Sequence, residues 1–106
     1  MNITTACNLK SYRNRVYIAG RVTGLPEAEA RIKFTAKKLW LQGLGYKVFV
    51  PVEVCKSDWS WFRCMVVCIF NLVFRCNKIS LLNNWQHSRG ARIECKIAKF
   101  LKYKEI

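Results

Sequence analysis

Acid is scarce in this chain. Six Asp and Glu residues stand against nineteen Lys and Arg among 106 residues, a formal net charge of +13. Such an imbalance attracts polyanions non-specifically, which leaves nucleotides, nucleic acid and anionic membranes as classes of partner and says nothing of fold. Blocks of five or six like charges are also absent: the basic residues are scattered among apolar ones, as on a solvated surface. No nucleic-acid-binding motif accompanies the charge, so a nucleic-acid partner is not expected.

Other absences narrow the reading further. The start, MNITTACNLK, has neither the basic opening nor the apolar run of an export signal, so a cytoplasmic location is expected. The longest uncharged run, Cys64 to Phe74, falls well short of the roughly 18 residues that cross a bilayer, and reads as a buried helix with no membrane partner. No C-x-x-C pair occurs. The six cysteines, at 7, 55, 64, 68, 76 and 95, are even in number, but without an export signal reduced thiols are the expectation. Cys64 and Cys68, at i and i+4, are the one arrangement suited to zinc on a helix face. The single histidine, His87, is far from them in sequence, and free cysteine commonly packs as a small hydrophobe. No metal site and no cofactor are expected.

Apolar matter is plentiful. Hydrophobic residues are 52% of the chain and aromatics 13%, enough for a real if modest core. The length suits a single domain over 1–106, with 1–14 an N-terminal extension. Arg15 to Gly20, RVYIAG, is short, β-branched and aromatic, like a buried strand. Gly24 and Pro26 then punctuate the chain, and a helix is expected to start near Pro26, with Glu27 and Glu29 in its first turn where the helix dipole favours negative charge. Ala28, Ile32, Ala36, Leu39, Trp40 and Gly43 recur at three- and four-residue spacing and are expected to pack on a sheet, leaving Arg31, Lys37 and Lys38 in solvent. Gly43 to Gly45 stops that helix.

Val48, Phe49 and Val50 read as a second strand, which Pro51 prevents from continuing in a central position. Strand, helix, strand within this spacing suits a βαβ unit with parallel strands. Trp59 to Arg75 reads as a helix that is apolar nearly all round and needs cover on more than one side; a second subunit is the expected cover. Lys78 to Leu82 reads as a third strand, Asn83 to His87 as a polar loop, and Ser88 as the cap of a last helix carrying Ala91, Ile97, Ala98 and Leu101. The alternation specifies an α/β sheet covered on both faces. Ligands of such sheets bind at the carboxyl ends of the strands.

Two loops fall there. In Gly20–Gly24, GRVTG, the glycines permit close approach of backbone to a ligand, Arg21 and Thr23 offer donors, and a helix N-terminus follows. This is neither a Walker loop nor G-x-G-x-x-G. In Asn83 to Ala91, NNWQHSRGA, Ser88, Arg89 and the NH groups around Gly90 form a second donor cluster. Glu94 lies one turn further on. There the dipole is expected to hold its carboxylate as an anion, suited to a nucleophile or a hydroxyl-binding group. Its structural alternative is a helix carboxylate paired with Arg89 or Arg92. Trp59, Trp61 and Trp85 suit core or dimer packing, with Trp85 also placed to stack on a nucleobase. His87 suits a solvated loop position, although its unperturbed pKa would also serve a proton donor.

VYIAGRVTGLP, the amphipathic helix, LGYKVFVPVE, the Trp-rich helix and CNKISLLNNWQHSRGARIE together resemble small bacterial and phage proteins of the nucleoside 2-deoxyribosyltransferase-like superfamily. The likeness covers residues 15 to about 101, and W-x-x-S-R-G-A-R-x-E, Trp85 to Glu94, is its most specific part. It implies a three-layer flavodoxin-like (Rossmannoid) fold with a mainly parallel sheet, assembled as a dimer or larger. It also implies action at the N-glycosidic bond of deoxyribonucleosides or their monophosphates, through a glutamate that attacks the anomeric carbon. By position, Glu94 matches that nucleophile, and Ser88 and Gly90 match groups that hold phosphate. Tyr17 and Gly20 match a first-strand tyrosine and glycine near sugar and phosphate, with Arg21, Val22, Thr23 and Gly24 completing the loop. Active relatives place an aspartate on the helix before the third strand, where this chain has Cys64, Cys68 and Asn71. Near the strand start, where relatives are often acidic, it has Asn77. General acid assistance is worth roughly 10²- to 10⁴-fold in rate. A non-catalytic binder of a nucleotide-derived ligand is therefore the alternative.

Overall fold

The computed structural model describes residues 14–22, 24–56 and 58–106. Most of the expected N-terminal extension, including Cys7, lies outside these, as does Thr23 of the first loop. The described chain runs β1 (Arg15–Ala19), α1 (Glu27–Gly43), β2 (Lys47–Phe49), a short α2 (Pro51–Val54), α3 (Trp61–Arg75), β3 (Cys76–Leu81), a 3₁₀ turn (Trp85–His87), α4 (Arg89–Phe100) and β4 (Lys104–Glu105). The fold is α/β, with four parallel strands in the order β2-β1-β3-β4 and helices on both faces.

β1 sits at the centre, and its side chains alternate between the two faces as a strand requires. Val16 and Ile18 join Phe34 and Leu41 of α1, with Val50 and Leu82, in one core layer. Tyr17 and Ala19 point the other way, into Cys68 and Leu72 of α3, Ala91 and Ala98 of α4, Phe49 and Ile79. Strand order reverses beside β1, because β1 leads through α1 to β2 on one side while β3 lies on the other. That reversal opens a crevice at the carboxyl ends of β1 and β3.

The termini of the helices follow local chemistry. Pro26 precedes α1 as its N-cap, with Glu27 and Glu29 in the first turn. Ser60 caps α3 by accepting from the Arg63 NH at 3.1 Å. Gly45, at φ +91°, closes α1: its NH donates to the Gln42 carbonyl and the Tyr46 NH to the Leu41 carbonyl, a Schellman ending that needs a left-handed residue. α4 ends the same way, with Lys102 at φ 60° donating to Lys99 and Tyr103 to Ala98. This turn swings the chain back alongside β3, and β4, absent from the expected elements, adds itself to the sheet edge. At that edge the Ser80 hydroxyl, buried in the sheet, donates to the Ile106 carbonyl at 3.2 Å.

Several expectations need correction. The stripe of α1 that packs on the sheet is Ala30, Phe34 and Leu41, not Ala28, Ile32, Ala36, Leu39, Trp40 and Gly43. Phe34 is fully buried, whereas Ile32 is 69% exposed and Leu39 61%. Both stripes have helical spacing, so periodicity alone does not choose between them; the sheet takes the one bearing Phe34. Lys37 and Lys38 end up half-buried beside it, and Lys38 reaches Glu53 of α2 at 2.7 Å. β2 stops at Phe49, with Val50 leading into α2, and β3 begins two residues earlier than expected, at Cys76. α4 buries Gly90, Ala91, Glu94, Cys95 and Ala98, while Ile97 and Leu101 are only half-buried. Cys55 and Cys64 form a disulfide, against the expectation of reduced thiols; Cys68, Cys76 and Cys95 are free and buried. The loop after α2 folds back over the first turn of α3 and brings the two Cα atoms to 5.5 Å, a proximity that sequence spacing does not reveal.

Candidate functional site

The last residues of β1 and β3, Ala19 and Leu81, are register partners, and the Leu82 NH donates to the Ala19 carbonyl at 2.9 Å. The two loops therefore leave the sheet side by side. They are tied together by Asn84, whose side-chain oxygen accepts from the Arg21 NH at 3.1 Å. Asn84 was not singled out in the sequence, where an asparagine in a polar loop carries no special signal. Gly20 is needed for a packing reason: a Cβ there would come within 2.4 Å of Leu82 Cδ1. Gly24, at φ +86°, occupies a conformation that side chains rarely adopt, and a Cβ there would lie 2.8 Å from the Arg21 guanidinium.

Between these loops, the start of α1, α2 and α3 lies a cavity of about 390 Å³. Small-molecule sites usually span roughly 300 to 1,000 Å³. Gly20, Val22, Ser88, Gly90 and Glu94, all anticipated from the sequence, line it together. The N-terminal ends of α1 and α4 both open onto it, through Glu27 and through Ser88 and Gly90. Ser88 caps α4 by accepting from the Ala91 NH at 3.1 Å. Gly90 is buried so closely that a Cβ would lie 2.9 Å from Met65 Sδ.

Glu94 is 5% exposed, and among the described residues it is, with Ser80, a buried polar side chain. Its carboxylate accepts a short hydrogen bond from the hydroxyl of Tyr17, which is fully buried on β1. Burial pushes the Glu94 carboxyl up to about 7, opposed by the Tyr17 hydrogen bond. The expectation of a dipole-stabilised anion is thereby overturned: the dipole's influence fades within the first helical turn, Glu94 lies beyond it, and desolvation prevails. Pairing with Arg89 or Arg92 is also overturned, since among the described residues no ion pair reaches Glu94, and the Arg89 guanidinium lies over the Trp61 ring at 4.7 Å. Burial likewise raises the Tyr17 hydroxyl, with the Glu94 charge adding to it.

Other anticipated residues stand elsewhere. Arg21, Arg89 and Trp85 do not line the cavity, and Trp85 packs, half-buried, against the core. The aromatic residues that line the cavity are Trp59 and Trp61, which the sequence assigned to packing; the Arg63 guanidinium lies over the Trp59 ring at 4.4 Å. His87 is exposed in the 3₁₀ turn, as a solvated loop residue would be. Cys64 and Cys68 face the cavity with Cys55. Asn71 does not join them; its amide donates to the Val67 carbonyl at 2.9 Å.

Residues 14–105, from the residue before β1 through β4, match the family model described as Domain of unknown function, DUF4406. The chain belongs to DUF4406. No curated protein and no solved structure matches it. In this DUF4406 chain, the family match spans the whole described sheet and every residue that lines the cavity. Among the described residues, no helix is long and apolar enough to cross a membrane.

Proposed function

We propose that the cavity binds a nucleoside monophosphate or a close nucleotide-derived anion, and that Glu94 acts at its N-glycosidic bond. The observation that carries this reading is a carboxyl group buried against a ligand-sized cavity and held by a buried tyrosine, at the rim where the two glycine-containing loops converge. The phosphate would lie against the N-termini of α1 and α4, whose free NH groups and dipoles favour an anion. The base would lie toward Trp59 and Trp61. A chain charge of +13 suits a phosphorylated ligand.

Chemically, a Glu94 carboxylate oxygen bonds to the anomeric carbon while the glycosidic electron pair leaves with the base, which takes a proton from water. Water then attacks the same carbon, loses a proton to solvent and frees Glu94; a second base in place of water gives transfer. A carboxyl pKa of about 7 keeps both forms populated near neutral pH, with the ionised form as the nucleophile and Tyr17 fixing its orientation. Incubation with the four deoxynucleoside monophosphates, followed by chromatography of free base, tests this directly. Base release is expected, falling by roughly 10⁴-fold or more in Glu94→Ala as for loss of a nucleophile. Unchanged release in that variant removes Glu94 from the mechanism.

A non-catalytic binder is the second reading, favoured by what stands near Glu94. Cys64 is held in a disulfide, burial pushes the Cys68 thiol up to about 12, and the one other carboxyl lining the cavity among the described residues, Glu27, is paired with Arg31 at 3.3 Å. None of these readily protonates a departing base. Calorimetric titration with the same nucleotides separates the readings: binding without release of base favours the binder, and no binding counts against both.

Self-association belongs to the same proposal. Phe62, Val66, Phe70 and Phe74 form a four-residue-spaced apolar stripe on α3 that the other described residues leave exposed. Sedimentation equilibrium is expected to give a dimer or larger, and a monomer at tens of micromolar concentration would oppose this.

A further inference from the structure

Three sulfurs meet on the wall of the cavity. Cys55 comes from the end of α2, Cys64 and Cys68 from successive turns of α3, and all three Sγ atoms lie within 4.8 Å of one another. Cys68 Sγ is 3.5 Å from Cys55 Sγ and 3.9 Å from Cys64 Sγ. The sequence pairs only Cys64 with Cys68; the third member is brought by the fold.

Two uses of such a cluster can be told apart by geometry. A thiol poised to exchange with a disulfide attacks along the line of the bond, so its distances to the two sulfurs should differ by nearly a bond length, about 2 Å. Cys68 is almost equidistant from both and sits beside the bond. Metal ligation asks for something else. Thiolates bound at about 2.3 Å to a tetrahedral zinc ion lie roughly 3.8 Å apart, which the two Cys68 separations bracket.

We propose that Cys55, Cys64 and Cys68, once the Cys55–Cys64 bond is reduced, form a three-thiolate site for a thiophilic divalent cation of the zinc type. Reduction takes two electrons and two protons from a dithiol reductant, which becomes its own disulfide. The cation then displaces the three thiol protons. All three cysteines line the cavity, so the fourth coordination position opens into it, an arrangement that leaves room for water or an incoming ligand atom. The site does not depend on the nucleotide reading.

The test uses the full chain reduced with dithiothreitol, desalted under nitrogen and titrated with cobalt(II). One equivalent is expected to produce a sulfur-to-cobalt charge-transfer band and tetrahedral visible bands, both abolished by zinc. Oxidised protein should give neither. Cys68→Ser should weaken binding at least tenfold, while Cys95→Ser and Cys7→Ser should bind as the parent does. Because Cys68 is a core residue, a second measurement needs no variant: cobalt should protect Cys55 and Cys64 of the reduced parent from alkylation, as mapped by mass spectrometry. Absence of the cobalt bands, protection of other cysteines instead, or equal binding by Cys68→Ser would overturn the site.

Discussion

The Tyr17 hydroxyl on the central strand donates to the carboxylate of Glu94 on the last helix, 77 residues away in sequence. Glu94 in turn is the group whose ionisation folding changes most usefully: its carboxyl rises from an ordinary 4.5 to about 7 through burial. Between these values the folded state holds a proton that the unfolded state has lost, so stability falls as pH rises from about 4.5 to about 7 and is level above. The span corresponds to about 3 kcal/mol. Urea denaturation from pH 4.5 to 8 should show this loss in the parent and not in Glu94→Gln. Tyr17→Phe removes the hydrogen bond that favours the anion, so the window should extend to higher pH, with an added loss of about 1 to 3 kcal/mol from the unpartnered carboxylate. Parallel pH profiles of parent and Glu94→Gln would refute the assignment.

Gly20 and Leu82 share one space. A Cβ at Gly20 meets Leu82 Cδ1, Cγ and Cβ at 2.4, 2.8 and 2.9 Å. Gly20→Ala should therefore destabilise by about 1 to 3 kcal/mol through overpacking. In a double-mutant cycle with Leu82→Ala the penalty of the alanine at 20 should shrink by about 1 kcal/mol or more. Simple additivity in denaturant midpoints would show that Gly20 is required for another reason.

Ser88 has two roles that one substitution can separate. Its side chain caps α4 and it lines the cavity. Ser88→Ala should cost about 1 kcal/mol of stability through loss of the cap. Ser88→Asp should keep the cap, and hence stability to within roughly 0.5 kcal/mol, while placing negative charge where a phosphate is proposed to sit. Its nucleotide affinity in calorimetry should drop at least tenfold; unchanged affinity would move the phosphate away from α4.

The turn at Lys102 and Tyr103 closes α4 with the same pair of hydrogen bonds that Gly45 and Tyr46 make for α1, but Lys102 holds a backbone conformation that suits glycine better. Lys102→Gly should stabilise the fold by about 1 kcal/mol, against the small entropy cost of glycine in the unfolded chain. A lower thermal midpoint in that variant would count against the strain.

Reduction of the Cys55–Cys64 bond, which closes a short loop of sequence separation 9, should lower stability by about 2 to 3 kcal/mol in the chain-entropy account. Denaturation with and without reductant measures it. Serine at both positions should abolish the difference.

Much of the architecture was legible because local patterns act over short range. RVYIAG reads as a buried strand, Pro26 and the two glutamates mark where α1 begins, Gly45 marks where it ends, and Ser88 announces α4. The gathering of Gly20, Val22, Ser88, Gly90 and Glu94 around one cavity also followed from strand order in parallel sheets. β4 escaped notice because two residues carry no period, and its place depends on the turn at Lys102.

Composition and spacing by themselves determined the α/β alternation, the helix starts and stops, and which loops reach the carboxyl edge of the sheet, since each depends on backbone preferences within a few residues. Only the tertiary structure decided which stripe of α1 is inside, that Trp59 and Trp61 rather than Trp85 face the cavity, and that Cys55 joins Cys64 and Cys68. It also decided the state of Glu94, because desolvation is a property of everything packed around a carboxyl group and not of its neighbours in the chain.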